Sequence, residues 1–264
     1  MPMTAPQDYF RRLGEFPHRE LFGGLAHVWE AIARLEAFTQ KLVEEPGLPE
    51  GAEDDLKGLR VEEGLIASEG LFLARRRFRV ARAGVRIEPG VRIEPGVVIK
   101  GPSVLCAEAE LRHGAYLRGG CLIGPRAIVG HATEVKNSLF LNHAEAGHFA
   151  YVGDSLLGAG ANLGAGAKLA NLQLRTEEEK SGESRPRNIR VRAEDQTLDT
   201  GLRKFGAVVG DDAEIGCNAV TSPGTLLGPG CWVTPNANVP KGIYPPAHLI
   251  RSQASRVEVT PRPR

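Results

Sequence analysis

Polar side chains able to bind a ligand or move a proton are concentrated in residues 133–171. A neutral imidazole titrates near neutral pH, so it can accept a proton from an attacking nucleophile. His148 is the favoured candidate for that role, because it lies where an otherwise regular sequence repeat is interrupted. The polar candidates of this segment are Lys136, His143, His148, Tyr151, Asn162 and Asn171.

Arg118 and Lys136 form a second candidate constellation, 18 residues apart. This separation equals one coil of the repeat described below, which predicts that the two cations stack in adjacent coils about 5 Å apart. Two cations at that distance repel each other unless an anion or a carboxylate lies between them. A phosphate is a suitable partner, and neutralisation by nearby Glu134 is the alternative.

The pair His143 and His148 also permits a metal-site interpretation. Its spacing is similar to that of the γ-class carbonic anhydrases, which bind zinc through three histidines. The position that would hold the third histidine is Ala107, and His113 and His131 are out of register with it. Because a catalytic zinc site needs three protein ligands, the zinc interpretation is disfavoured and no metal is predicted.

A six-residue repeat extends over residues 64–243 and must position these side chains. Short strands that each point one large residue inward alternate with tight turns, and three sides close a triangular coil of 18 residues. Stacked coils pair their strands in parallel and bury the aliphatic columns. The large inward residues recur every six positions, and the first ten are Ile87, Ile93, Ile99, Leu105, Leu111, Leu117, Ile123, Val129, Val135 and Leu141.

The repeat is not continuous. Its phase slips near Gly147, resumes at Leu157, and breaks for a charged insertion at residues 173–204 before restarting at Val209. The insertion is either a solvated loop or a loop that reaches over a neighbouring subunit and shapes a site. Cys121 and Cys231 fall at the small position of their hexads, which indicates packing residues.

Residues 1–63 lack the repeat. Residues 27–45 are predicted to form a helix, with Val28, Ile32, Leu35 and Leu42 near one face. This helical segment is expected to cap the exposed end of the repeat stack, and a remnant or replacement of another domain is the alternative. Residues 244–264 form a C-terminal tail.

Composition excludes several classes of protein. The formal net charge of +1 disfavours a nucleic-acid binder, and the absence of a long apolar run predicts no membrane span. The N-terminus has no apolar signal core, so a cytoplasmic location is expected. The cysteines show no disulfide or zinc spacing, which predicts reduced thiols; they are Cys106, Cys121, Cys217 and Cys231.

Four motifs carry a resemblance to a known family. They are EVKNS at 134–138, GHFAYVGDS at 147–155, NLGAGA at 162–167 and DTGLRKFGAVVGDD at 199–212. Residues 85–243 resemble the left-handed, hexapeptide-repeat β-helix domain of glucosamine-1-phosphate N-acetyltransferases and sugar-1-phosphate nucleotidylyltransferases. The resemblance implies a mainly β, left-handed parallel β-helix that assembles as a homotrimer. It also implies acetyl-CoA-dependent N-acetylation of an amino-sugar 1-phosphate in nucleotide-sugar biosynthesis.

The resemblance further implies roles for individual residues. His148 would be the general base. The sugar phosphate would be held by Arg118, Lys136, Tyr151, Asn162 and Asn171. Acetyl-CoA would be bound at Ala165, at Cys217 and Pro235, which are serine and alanine in the bacterial bifunctional enzymes, and at Arg251 in the tail.

The family's partner domain has no counterpart in residues 1–84, which lack its glycine-rich motif. No nucleotidylyltransferase activity is therefore predicted. The alternative function is a non-catalytic trimeric module beside a separate sugar nucleotidylyltransferase. The sugar is left open, because glucosamine, galactosamine or a nucleotide-linked amino sugar would each suit a phosphate clamp with a base.

Overall fold

Three nine-stranded sheets form the faces of a triangular coil in the computed structural model, which describes residues 3–252. Each coil contributes one strand to each sheet, and from Val85 onward the strands of a sheet pair in parallel. The predicted mainly β fold, a parallel β-helix of hexapeptide repeats, is therefore confirmed. No helix within residues 3–252 is long and apolar enough to span a membrane.

The strands are short, as the hexad pattern predicts. The first sheet contains Leu59–Glu62, Leu65–Ser68, Val98–Lys100, Tyr116–Arg118, Glu134–Lys136, Tyr151–Gly153, Lys168–Leu169, Val220–Thr221 and Asn238–Val239. The second contains Phe78–Val80, Val85–Ile87, Ser103–Leu105, Cys121–Ile123, Leu139–Phe140, Leu156–Leu157, Ala207–Val209, Thr225–Leu227 and Gly242–Tyr244. The third contains Phe72–Leu73, Arg92–Ile93, Glu110–Leu111, Ile128–His131, Glu145–His148, Asn162–Leu163, Glu214–Ile215, Trp232–Val233 and Leu249–Ile250.

Helices occur only outside the regular coils among the described residues. The α-helices are Pro6–Tyr9, Glu30–Val43 and Glu177–Ser181, and the 3-10 helices are Leu13–Glu15, Arg19–Phe22, Glu53–Leu56 and Ala81–Ala83. The helix predicted over residues 27–45 is thus present as Glu30–Val43. The insertion adds a two-stranded hairpin, Arg190–Ala193 and Gln196–Asp199.

The coil interior is filled by the aliphatic columns of the hexad pattern. Leu117 pairs in register with Ile99 on one side and Val135 on the other, and all three side chains are buried. Cys121 packs in the same core, where burial raises the pKa of its thiol to about 12. Cys231 is also buried there, and all four cysteines are free thiols.

The phase of the repeat slips at a corner rather than at Gly147. After the inward-facing Val135, the next inward residue is Phe140, because the turn between them is one residue shorter than a full hexad. Leu141, which the hexad count placed inside, instead packs in a second apolar cluster outside the coil. The prediction for Leu141 is therefore wrong.

The same corner is shortened again in the next coil, between Val152 and Leu157. Asn137 and Asp154 occupy the two shortened turns, with left-handed φ angles of 43° and 47°. Asparagine and aspartate tolerate this conformation better than most residues. The two irregular corners therefore lie one above the other, next to the first sheet.

Antiparallel strands close one end of the coil. Leu65–Ser68, Phe72–Leu73 and Phe78–Val80 each pair antiparallel with the first regular strand of a different sheet. The end of the stack is thus covered by strands, whereas the sequence placed a helical cap there. The domain boundaries at residues 63 and 243 stay predictions.

The helical N-terminal segment instead lies along the outer face of the second sheet. That face carries an outward-pointing apolar column, which includes Val104, Leu122 and Leu139. Exposed aliphatic side chains in a continuous column favour a covering element. Trp29 and the helix residues pack there, and so does Phe205, the residue directly after the insertion, whose ring lies 6.5 Å from that of Trp29.

Candidate functional site

Arg118 and Lys136 lie side by side on the first sheet. Their strands pair in parallel with Leu117 opposite Val135, so the two cations occupy matching positions in adjacent coils. Tyr151 lies one coil further on, opposite Glu134. The structure therefore brings three of the predicted substrate-binding residues onto one face.

Each of the two cations faces a carboxylate. Arg118 Nη1 lies 2.6 Å from Glu134 Oε1, and this hydrogen bond raises the pKa of Arg118. Lys136 Nζ lies 3.7 Å from Asp154 Oδ2. Neutralisation by Glu134, the alternative to an anion site, thus holds for Arg118, while Lys136 has a partner that the sequence did not indicate.

Asp154 is the centre of a hydrogen-bond network behind this face. Its side chain is buried, and its Oδ1 accepts from Asn137 Nδ2 at 3.0 Å. Its Oδ2 accepts from Asn171 Nδ2 at 2.5 Å. The carboxylate therefore fixes Asn171 and lies beside Lys136, which makes it a positioning residue for two predicted ligands of the substrate.

The Tyr151 phenol joins the same network through Asn171. Burial, reinforced by the Glu134 carboxylate, raises the pKa of Tyr151 above its ordinary value, although the hydrogen bond to Asn171 opposes the shift. The phenol is therefore neutral at physiological pH and can donate a hydrogen bond. Gly153 lies directly beneath it: a Cβ there would stand 2.6 Å from both Tyr151 Oη and Asn171 Nδ2.

His148 lies at the corner between the third and first sheets, three residues before Tyr151. Its side chain is exposed, and its carbonyl accepts a hydrogen bond from Gly166 N–H at 2.9 Å. This bond places Ala165 at the matching position of the next coil, next to His148. We call the corner positions that follow one another in this way the corner row.

The corner row continues through the predicted cofactor residues. Asn218 N–H donates to Ala165 O and Asn236 N–H donates to Cys217 O, both at 2.8 Å, so Ala165, Cys217 and Pro235 occupy successive coils. Cys217 and Pro235 are exposed, and Ala165 is half-buried. Compact side chains therefore occupy this stretch of the corner row.

Arg251 lies next to the end of the corner row. Leu249–Ile250 pairs in parallel with Trp232–Val233, and Thr234 N–H donates to Ile250 O at 2.9 Å, so Arg251 is the neighbour of Thr234 in the next coil. The arginine is exposed. The remainder of the tail, residues 253–264, lies outside the described residues.

Asn162 is separated from the other predicted substrate ligands. It belongs to the third sheet, between Glu145 and Glu214, and its Nδ2 donates to Glu214 Oε2 at 2.9 Å. Tyr151 and Asn171 belong to the first sheet and the turn after it. Within one chain, the predicted site is therefore divided between two faces.

His143 and His148 lie at two different corners of the coil, at opposite ends of one side of the triangle. His143 is in the turn before the strand Glu145–His148, with a left-handed φ of 58°, whereas His148 ends that strand. Residues 3–252 contain no group of three or more histidine, cysteine, aspartate or glutamate side chains placed to hold a metal ion. The histidine pair therefore does not converge on one point.

A cavity of about 590 Å³ lies behind the Asp154 network, between the coil, the helix Glu30–Val43 and residues 201–204. Asp154 and Asn137 form the wall that this cavity shares with the first-sheet face. Its lining also includes Glu36, Lys204 and Arg203. The sequence missed Asp154; the repeated pattern Asn-Ser and Asp-Ser, 17 residues apart, was the available signal.

Comparison with known proteins gives relatives for the repeat. A bifunctional sugar-1-phosphate nucleotidylyltransferase/acetyltransferase of Sulfurisphaera tokodaii is 30% identical over 115 residues, which are 44% of this chain and 26% of that protein. Bifunctional protein GlmU of Methanococcus vannielii is 31% identical over 115 residues, 44% of this chain and 25% of that protein. Over that segment, the chain is a homologue of these bifunctional proteins.

The homology is limited in extent. The chain covers 26% of the Sulfurisphaera tokodaii protein and 25% of Methanococcus vannielii GlmU. It also matches GlmU of Methanococcus aeolicus, of which it covers 28%. No protein-family profile matches it. The acetyltransferase domain of PglB from Neisseria gonorrhoeae, solved with acetyl coenzyme A, covers 60% of this chain at 17% identity, with 51% of that domain covered and a TM-score of 0.22.

Proposed function

We propose that the protein is an acetyl-CoA-dependent N-acetyltransferase that acts on an amino-sugar 1-phosphate of the glucosamine-1-phosphate type. The observation that carries the proposal is that the corner row and the polar face of the first sheet meet at one corner of the coil. His148 ends a row of compact residues, and Tyr151 begins a polar face that contains Arg118 and Lys136. Homology to bifunctional nucleotidylyltransferase/acetyltransferases supports the same class of reaction.

Arg118 and Lys136 bind the phosphate in this proposal. Their carboxylate partners do not exclude that role, because Arg118 and Glu134 are both more than a third exposed and such surface pairs are worth only about 0–1 kcal/mol. A phosphate offers more negative charge and more acceptor oxygens than one carboxylate. It can therefore displace Glu134 or share its arginine.

His148 accepts a proton from the 2-amino group as the nitrogen attacks the thioester carbonyl. The C–S bond then breaks, and the departing thiolate of coenzyme A takes the proton from His148. Acetyl-CoA supplies the activated acetyl group, and its arm follows Ala165, Cys217 and Pro235 toward Arg251. The neutral Tyr151 phenol donates a hydrogen bond to the acceptor. Asn171, held by Asp154, fixes the orientation of Tyr151.

The divided site supports assembly as a homotrimer with active sites between subunits. One chain presents Asn162 on the third sheet and Tyr151 on the first, so a neighbouring copy must supply one of them to complete the set. The second sheet is covered by the chain's own N-terminal segment, which leaves the first and third sheets available.

Sedimentation equilibrium of the purified full chain is expected to give three times the chain mass at micromolar concentration. Mixing an Asn162→Ala variant with a Tyr151→Phe variant is expected to restore part of the activity that each lacks, because some mixed interfaces would carry both intact residues. A monomer with full activity would rule out the shared site.

The reaction is tested by thiol release from acetyl-CoA with glucosamine-1-phosphate as acceptor. We expect turnover with the phosphate ester and much weaker turnover with glucosamine, since glucosamine lacks the group that Arg118 and Lys136 bind. Calorimetry with coenzyme A and with the sugar phosphate separates binding from chemistry. If neither ligand binds, the proposal is wrong and the non-catalytic module replaces it.

A further inference from the structure

The corner row also extends from His148 in the direction away from the cofactor residues. His148 pairs in register with His131, and Ala132 N–H donates to His113 O at 3.1 Å, which places His113 in the coil before. The rings of His113 and His131 stack with their centroids 5.5 Å apart and their planes 14° apart. Three imidazoles therefore follow one another along this corner.

The tautomers of the two stacked imidazoles are fixed by backbone carbonyls. His113 Nδ1 lies 2.6 Å from Pro95 O, and His131 Nδ1 lies 2.7 Å from His113 O. A carbonyl oxygen only accepts, so Nδ1 carries the hydrogen in both rings. In the neutral rings, each Nε2 therefore keeps a free lone pair on the edge that points away from these carbonyls.

Phe149 adds an aromatic ring to the stack. Its centroid lies 5.1 Å from that of His131 in an edge-to-face arrangement, and 55% of the residue is exposed. It has a left-handed φ of 53°, whereas the matching positions in the next two coils hold Gly166 and Asn218.

A bulky residue in that conformation is unusual. Glycine and asparagine adopt it at lower cost, so stability alone would not place an exposed phenylalanine there. The conformation alone does not mark a site, because other corners of this coil hold Arg126 and His143 in it. What points to a ligand is the exposed aromatic ring that Phe149 places beside His131.

We propose that His113, His131 and Phe149 form a stacking platform for the base of a nucleotide-linked acceptor. The inference rests on the proposed function and narrows its substrate: the sugar 1-phosphate carries a nucleoside. Aromatic faces stack on any base, and the free Nε2 lone pairs accept from its N–H groups. The cofactor residues leave His148 in the opposite direction, so the adenine of coenzyme A is expected away from the platform.

Calorimetry with nucleoside diphosphates tests the platform in the full chain. The probes are the diphosphates of uridine, thymidine, cytidine and guanosine, each titrated in saturating coenzyme A so that the adenine site is filled. We expect one of them to bind, and His131→Ala to weaken it by about tenfold, the size of one lost stacking contact. His143→Asn, which removes an exposed imidazole from a different corner, serves as the matched control.

Phe149→Asn separates a ligand role from a structural one. Asparagine tolerates the left-handed conformation, so this variant is expected to raise Tm while weakening nucleotide binding by about tenfold. The platform is overturned if none of the four diphosphates binds, or if His131→Ala and Phe149→Asn leave their binding unchanged. It is equally overturned if these variants weaken coenzyme A instead, since the platform would then hold adenine.

Failure of the platform is distinguishable from failure of the proposed function. Acetyl transfer to glucosamine-1-phosphate and to the glucosamine ester of each nucleoside diphosphate is measured in parallel with the same protein. Transfer to glucosamine-1-phosphate without nucleotide binding refutes the platform alone. Absence of transfer to every one of these acceptors refutes the acetyltransferase proposal, and with it the acceptor role assigned to the platform, even if a diphosphate binds.

Discussion

Replacing His148 with alanine is expected to lower kcat for acetyl transfer by about 10³-fold, within the range of about 10² to 10⁴ for removal of a general base. The attacking amine must lose a proton for the amide to form, and the base accepts that proton. Among residues 3–252, His148 is the imidazole that joins the corner row to the Tyr151 face. Steady-state thiol release from acetyl-CoA measures the loss.

The fold should be unaffected by this change. His148 is exposed, and surface substitutions away from special features usually change stability by no more than about 0.5 kcal/mol. We expect an unchanged Tm and a Kd for the sugar phosphate within about threefold of the wild type, since Arg118 and Lys136 remain. His143→Asn is the matched control and should retain full activity. Full activity in His148→Ala would remove the histidine from the mechanism.

The coil could be predicted from the sequence because each hexad contains the residues that define its own strand and turn. A large aliphatic such as Leu117 must point inward, and the turn that follows is encoded within a few residues. The register of Arg118 with Lys136 follows directly from the length of one coil. Local, repeated information therefore fixed both the fold class and one half of the candidate site.

The position of the N-terminal helix could not be predicted in the same way. It depends on the outward-facing column that contains Leu122 and Leu139, whereas the hexad pattern identifies only inward residues. Leu141 was assigned to the interior for a related reason. A turn shortened by one residue moves every later side chain to the other face, and no local signal marked the shortening.

The role of Asp154 could not be predicted from the sequence, because its hydrogen-bond partners are distant along the chain. Asn137 and Asn171 lie 17 residues before and after it. This interval corresponds to one coil only once the corner has lost a residue. Asn162 shows the converse: it is close to Tyr151 in sequence, but it lies on another sheet. Arrangements that depend on irregular coils thus require the structure.

Asp154→Ala is expected to lower the free energy of unfolding by about 3 kcal/mol. The buried carboxylate accepts hydrogen bonds from Asn137 and Asn171 and lies 3.7 Å from Lys136. Alanine leaves these donors without their acceptor, and an unsatisfied buried group costs about 1–3 kcal/mol, with more for a charged partner. Urea denaturation, monitored with two independent spectroscopic probes, measures the change in the free energy of unfolding.

The same substitution is expected to lower kcat/KM by at least about tenfold, because Asn171 and Tyr151 lose their fixed orientation and small displacements at a reacting centre are costly. Asp154→Asn keeps the left-handed backbone and one acceptor oxygen, so its loss of stability should be smaller. The effect on kcat/KM would then follow the loss of the carboxylate rather than the loss of stability.

Asp212→Ala is the matched control for the backbone. Asp212 also has a left-handed φ, 56°, and also pairs with a cation, Arg12 Nη2 at 2.5 Å. Its side chain is exposed, so its ion pair is worth no more than about 1 kcal/mol. If Asp154→Ala and Asp212→Ala are equally destabilising, the conformation explains the loss. A clear excess for Asp154 would show that the buried network holds the corner on which the site depends.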